Sequence, residues 1–197
     1  VWRLGAPIDL PDGPFIVAPN HHSWWDLYLA WLVAERIGRP RVALMDREQL
    51  ERFPFFRSIG VLANDEIRAA LGHVERGQVL FLFPEGELRA PGATGPLHRG
   101  VAFFARIADV PVVPLAIRVT LRGARRPEAY VSFGNPLAPG EALLTTLSAD
   151  LNQLLDAIDV TLDATHPEDV PAEAVAWVGG APSQRDRASW WEQSWQR

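Results

Sequence analysis

Short apolar runs alternate along the chain with longer segments in which apolar residues recur every three or four positions. FIVAP (15–19) predicts a strand, followed by a helix from about Trp24 to Ile37. RVALM (41–45) predicts a second strand, with a helix at about 47–57 behind it. GVLAN (60–64) is a short extended piece leading into the helical EIRAALGHVERG (66–77). QVLFLF (78–83) is a continuous apolar run, the pattern of a strand buried on both faces. Beyond a Gly/Pro-rich loop (91–96), the pattern predicts a helix over 99–108, strands at VVPLAIRVT (112–120) and AYVSFG (129–134), and a long helix at about 140–162.

Strands alternating with helices argue for an α/β fold, a mixed and largely parallel sheet flanked by helices. Residues 1–163 are expected to form one domain. Residues 164–197 read as a proline- and acid-rich linker, THPEDVPAEA, and a Trp-rich C-terminal tail. In such sheets the functional residues gather in loops at the carboxyl ends of strands. Two polar clusters lie at those places, NHHSWWD after the first strand and PEGELR (84–89) after QVLFLF.

Composition narrows the chemistry. The 197 residues suit one domain, and 48% hydrophobic against 22% charged residues is a globular balance. There is no cysteine, so disulfides, thiolate nucleophiles and cysteine-ligated zinc are excluded. A net charge of −5 argues against a general nucleic-acid binder. All 19 basic residues are arginine, so no lysine can form a Schiff base. No apolar run approaches the roughly 20 residues of a membrane span. The chain opens on Val1 without a signal-peptide pattern, which leaves room for an upstream segment.

The cluster at His21, His22 and Asp26 admits three readings. Paired histidines with an aspartate can ligate zinc, but adjacent side chains diverge, and His73, His98 and His166 are scattered. Ser23 has no nucleophile elbow around it, and reads better as a helix N-cap. In the third reading His21 sits in the loop and Asp26 in the first helical turn. The imidazole then folds back onto the carboxylate, leaving Nε2 free to take a proton. Taken alone, the cluster leaves this open against a capped helix start with incidental histidines.

Asn20, His21, Ser23 and Asp26, as N-H-x-S-x-x-D, resemble the H-x-x-x-x-D motif of the glycerolipid (lysophospholipid) acyltransferase family. Phe83-Pro84-Glu85-Gly86 matches that family's F-P-E-G block, VPVVPLAI with Pro114 its last block, and Arg47 with Pro54 the spacing of its second. The resemblance implies transfer of a fatty acyl group from acyl-CoA or acyl carrier protein, as co-substrate, to a hydroxyl of a lysophospholipid or related lipid. It implies no cofactor, metal or acyl-enzyme. His21 would be general base and Asp26 its orienting partner. Glu85, Gly86, Arg89 and Arg47 would hold substrate, while Asn20, Ser23, Pro84 and Pro114 would shape the pocket, and His22 would be a spacer.

The chain departs from the family pattern at Leu88, where an arginine is usual, at Glu87, which replaces a small hydroxyl residue, and at Arg47, which replaces a lysine. Either Arg89, one position late, takes over the grip on an acceptor phosphate, or the acceptor carries no phosphate there. Lipid substrates without a membrane span imply a peripheral protein at the cytoplasmic membrane face. Arg118, Arg122, Arg125 and Arg126 are candidates for anionic head groups, and Trp190, Trp191 and Trp195 with Arg185 and Arg187 for an interface belt. Trp24 and Trp25 are candidates for an acyl channel or the core, and Trp31 for the core. The competing functions are a metal-dependent hydrolase using His21, His22 and Asp26, and a non-catalytic lipid-binding module.

Overall fold

A computed structural model describes residues 1–7, 9–123 and 126–179. In chain order the elements are β1 (Trp2–Arg3), β2 (Ile16–Pro19), α1 (Asp26–Arg36), β3 (Arg41–Met45), α2 (Arg47–Arg52), α3 (Phe55–Ser58) and β4 (Val61–Ala63). There follow α4 (Ile67–Glu75), β5 (Val79–Phe81), α5 (Gly100–Ala108), β6 (Val112–Thr120), β7 (Glu128–Phe133), α6 (Leu143–Ala164) and β8 (Val175–Ala176). The strands form one sheet in the order β4-β3-β5-β2-β6-β7-β1-β8. The pairs from β4 to β6 are parallel, β6–β7 and β1–β8 are antiparallel, and β7–β1 is parallel. The expected mixed, largely parallel sheet is therefore what the chain builds, and the carboxyl ends of β5, β2 and β6 lie side by side.

Side-chain alternation in the central strands feeds two apolar layers. Phe15, Val17, Phe81, Leu115 and Ile117 pack with Leu29 and Val33 of α1 on one face. Ile16, Ala18, Leu80 and Val112 pack with Val74, Phe104, Leu147 and Leu151 of α4, α5 and α6 on the other. Because both faces are covered, the strands carry no polar alternation, as QVLFLF suggested.

Several expectations change. The helix expected over 47–57 is two short helices, because Phe53 leaves helical geometry (φ −126°, ψ 67°) in front of Pro54. A residue before proline is pushed out of the α region, and proline has no N–H to continue the ladder. The run 78–83 is a strand only over Val79–Phe81, and its last two residues begin the next loop. Contacts with the sheet continue past 163. Val175–Ala176 pairs with β1, the Val1 amino group donates to the Val178 carbonyl at 2.8 Å, and Trp177 stacks edge-on to Phe133 at 5.4 Å. The two-residue strands β1 and β8 are too short to leave a period in the sequence. Trp190, Trp191, Trp195, Arg185, Arg187 and Arg125 lie outside the described residues.

Candidate active site

β2 runs out at Pro19, and Asn20 continues it with its side chain. The Asn20 Oδ1 accepts from the Ile117 N–H at 2.7 Å, and its Nδ2 donates to the Ile117 carbonyl at 3.1 Å. One buried carboxamide thus satisfies both backbone groups of a β6 residue on the side where β2 has ended. Past this anchor the chain turns through His21 to Trp25 and enters α1 at Asp26.

Asp26 is fully buried, and its carboxylate organises the turn. Its Oδ2 accepts from the backbone N–H of His22 at 2.7 Å and of Ser23 at 2.8 Å, and lies 3.0 Å from the His21 Nδ1. A carboxylate in the first turn is favoured by the helix dipole, and the two N–H bonds are charge-assisted. The geometry makes His21 Nδ1 the donor, so Nε2 carries the free lone pair. The imidazole is 22% exposed and rests on the Phe83 ring, with centroids 4.5 Å apart. His21 and Asp26 thus meet through a loop-to-first-turn arrangement. Ser23 is not the N-cap expected of it: α1 starts at Asp26 rather than at about Trp24, Trp25 is its cap residue without a side-chain cap bond, and the Ser23 hydroxyl accepts only the Trp25 N–H, at 3.2 Å in the loop before the helix.

The second motif closes on the same residue. Phe83-Pro84-Glu85-Gly86 is a tight turn in which the Gly86 N–H donates to the Phe83 carbonyl at 3.2 Å, with proline at its favoured second position. Gly86 has φ +68°, and a Cβ there would come within 2.9 Å of the His98 ring, so both backbone and space demand glycine. Glu85 is only 2% exposed. Its Oε1 accepts the His21 N–H at 2.8 Å and its Oε2 the Gly95 N–H at 2.8 Å, while the Arg89 N–H donates to the His21 carbonyl at 2.8 Å. Both polar groups of the His21 peptide are therefore held by the turn after β5. These contacts make Glu85 a residue that positions the His21 backbone, where a head-group contact is expected from the sequence.

The Arg89 guanidinium pairs with Glu87 at 2.5 Å, and its Nε lies against Gly95, beside Glu85. Pro84 is buried in the turn, and Leu88 points outward. Arg47, the first residue of α2 just beyond β3, is engaged by Asp65 through Nε at 2.7 Å and Nη2 at 2.5 Å. Pro114 is buried in β6 under Gly134, where its missing N–H falls past the end of β7; it shapes the sheet beneath the site.

Three readings of the sequence need correction. His22 is not a spacer: its side chain is 4% exposed, and its Nε2 accepts the Val119 N–H at 3.1 Å. Its pKa is lowered from the usual histidine value, first by burial, with Arg118 adding to that against the pull of Asp26. Because His22 Nε2 is spent on β6 while His21 Nδ1 and Asp26 are spent on each other, the three side chains do not converge as metal ligands would. Arg118 and Arg122 are not free for head groups. Arg118 is buried in a two-pronged pair with Asp159 at 2.7 Å per bond, and Arg122 is tied to Glu128 at 3.2 Å and to Tyr130. Trp24, Trp25 and Tyr28 fill neither core nor closed channel, being 61%, 49% and 57% exposed and stacked edge-to-face.

The Acyltransferase family model matches residues 6–118, which hold both motifs. A 1-acyl-sn-glycerol-3-phosphate acyltransferase of Cocos nucifera is 26% identical over 140 residues, which cover 61% of this chain. The chain spans less than half (44%) of that protein's length. The crystal structure of PlsC, the 1-acyl-sn-glycerophosphate acyltransferase of Thermotoga maritima, superposes with a TM-score of 0.60 at 19% identity, covering 76% of this chain and 68% of that one. It shares the fold. With the family model spanning more than half of its residues, the chain belongs to the acyltransferase family.

Proposed function

We propose that the protein moves a fatty acyl group from an acyl thioester, acyl-CoA or acyl carrier protein, to a hydroxyl of a lysophospholipid or related lipid. The observation that carries the proposal is the His21–Asp26 pair at 3.0 Å, with Nδ1 turned to a buried carboxylate and the ring partly open to solvent. His21 Nε2 takes the proton of the acceptor hydroxyl as its oxygen attacks the thioester carbonyl carbon. The new C–O bond forms, the tetrahedral oxyanion collapses with cleavage of the C–S bond, and the departing thiolate receives the proton from Nε2. The products are an ester and a free thiol, with no acyl-enzyme, consistent with a chain that lacks cysteine. General-base assistance of this kind is worth about 10²–10⁴ in rate.

In this reading Arg89, whose backbone N–H bonds the His21 carbonyl, meets an acceptor phosphate, and Glu87 competes for it. The exposed Trp24, Trp25 and Tyr28, directly beside the base, have the amphipathic rings that suit a lipid–water boundary. Among the described residues no helix is long and apolar enough to cross a membrane. A peripheral position at the cytoplasmic face of a membrane, where thioester donors are available, fits this surface. The test is an acceptor panel, with and without a head-group phosphate, incubated with long-chain acyl-CoA and with acyl carrier protein donors, following thiol release. Acceptor-dependent release supports the proposal. Lipid binding without consumption of any donor would replace it with a binding module.

A further inference from the structure

Residue His22 lies outside the pair that the reaction uses, yet it is among the most constrained side chains at the site. Its backbone N–H donates to Asp26 Oδ2 at 2.7 Å, and its ring is buried between the Asp26 carboxylate and the end of β6. β2 has already ended at this level, so the Val119 N–H has no strand partner, and His22 Nε2 supplies its acceptor at 3.1 Å. That bond fixes the tautomer: Nε2 is unprotonated, and Nδ1 carries the proton. The same Nδ1 is 3.2 Å from Asn20 Nδ2, which is itself a donor because Ile117 N–H holds the other end of the amide. Two donors do not bond. Nδ1–H faces Asp26 Oδ1 at 3.9 Å, an electrostatic contact too long for a hydrogen bond, and that oxygen has no hydrogen bond among the described residues.

We propose that His22 is a positioning residue: its backbone N–H holds Asp26 Oδ2 at 2.7 Å while its ring anchors the turn to the β6 backbone at Val119, and together they keep the carboxylate on His21. The inference rests on the assignment of His21 as base. In this arrangement the carboxylate has His21 on one oxygen and His22 facing the other, and only the first imidazole is exposed to a substrate. Protonation of His22 breaks the device. An Nε2–H would face the Val119 N–H, and a second cation beside Asp26 would compete with His21 for it. The charged groups acting on His22 are Asp26 on α1, His21 in the loop and Arg118 on β6, the last already paired with Asp159 of α6. Burial, the largest influence, keeps the ring neutral to lower pH than an ordinary histidine.

Two protonations therefore switch off the reaction, His21 by losing its lone pair and His22 by releasing Asp26. The log of kcat against pH should fall with a slope of one on entering the acid limb and steepen to two below it. The experiment compares this profile for the full chain and two variants, using acyl-CoA and the best acceptor of the panel. His22→Gln retains an acceptor within reach of the Val119 N–H but cannot titrate. It should lose roughly three- to tenfold in kcat, with a slope of one throughout. His22→Leu, which removes the bridge, should lose roughly 10² in kcat with KM unchanged, the size of a misplacement of about 1 Å.

A wild-type slope that stays at one, or a His22→Leu enzyme with undiminished kcat, overturns the proposal. If His22→Leu does not fold by circular dichroism, the wild-type and His22→Gln slopes decide alone. Loss of activity in His21→Ala together with a wild-type slope of one removes His22 and leaves the base in place. Retention of activity in His21→Ala removes both.

Discussion

Replacing Glu85 with glutamine separates a positioning role from a ligand-binding one. The carboxylate places one oxygen on each of two backbone N–H groups, His21 and Gly95, both at 2.8 Å, in a setting only 2% exposed. Bonds to a buried ionised acceptor are worth about 1.5–3 kcal/mol each. Glutamine retains one acceptor, now neutral and worth about 1 kcal/mol, and turns an NH₂ group toward the other backbone N–H, which is left unsatisfied. Relief of the buried charge offsets part of the loss, leaving a net destabilisation of about 2–4 kcal/mol. For a chain of this size that is a fall in Tm of roughly 5–15 °C. Because the lost bond sits on the His21 peptide or on the loop that braces it, kcat should fall about 10-fold or more, with little change in acceptor KM. Thermal unfolding of wild type and Glu85→Gln, followed by steady-state kinetics on the folded variant, reads both quantities. An unchanged Tm with an acceptor KM raised tenfold would show that Glu85 grips the acceptor, and that the hydrogen bonds described above do not govern its role.

Three other perturbations test separate parts of the account. Changing both Trp24 and Trp25 to alanine should weaken binding to lysolipid-containing vesicles by roughly 10–100-fold, from about 25 cal/mol per Å² of ring surface withdrawn from water, with turnover of a water-dispersed acceptor largely retained. Sedimentation with vesicles measures it; equal binding would rule out the aromatic platform. Glu87→Gln releases Arg89 from its pair and should lower KM for a phosphorylated acceptor by roughly 2–5-fold, leaving a phosphate-free one unchanged, since exposed pairs are worth at most about 1 kcal/mol. A change shared by both acceptors would dissociate Arg89 from phosphate. Tyr130 has its phenol pushed up to about 12, first by burial and then by the Glu128 charge, against Arg122. The unfolded chain releases that proton near 10, so its contribution to stability is complete below about 10 and is lost as pH rises toward 12. Urea midpoints should show this loss in wild type and not in Tyr130→Phe.

How much of this was legible in the sequence depends on the range of the interaction. The strands and helices of the central sheet were readable because Phe15 to Ala18 and Val112 to Ile117 are apolar at every position, which only a sheet covered on both faces explains. The break at Pro54 is equally local, but apolar periodicity continues through it and masks it. The His21–Asp26 contact was legible because its five-residue spacing works only if the helix starts between the two. The roles of Glu85 and His22 were not, because both depend on backbone groups far along the chain: Glu85 bonds a peptide 64 positions earlier and His22 one 97 positions later. Nothing in a residue's type tells which distant N–H will lack a strand partner. The arginines of 118–122 misled for a related reason, since Asp159 and Glu128, which neutralise them, sit on other elements.

The central claim is that His21, oriented by Asp26, removes the proton from the acceptor. It is tested most directly by thiol release from long-chain acyl-CoA in the presence of lysolipid, comparing wild type with His21→Ala at matched folded concentration. The account predicts acceptor-dependent release by the wild type and a loss of about 10²–10⁴ in kcat for the variant, with its Tm close to that of the wild type. Release by His21→Ala at the wild-type rate would contradict it.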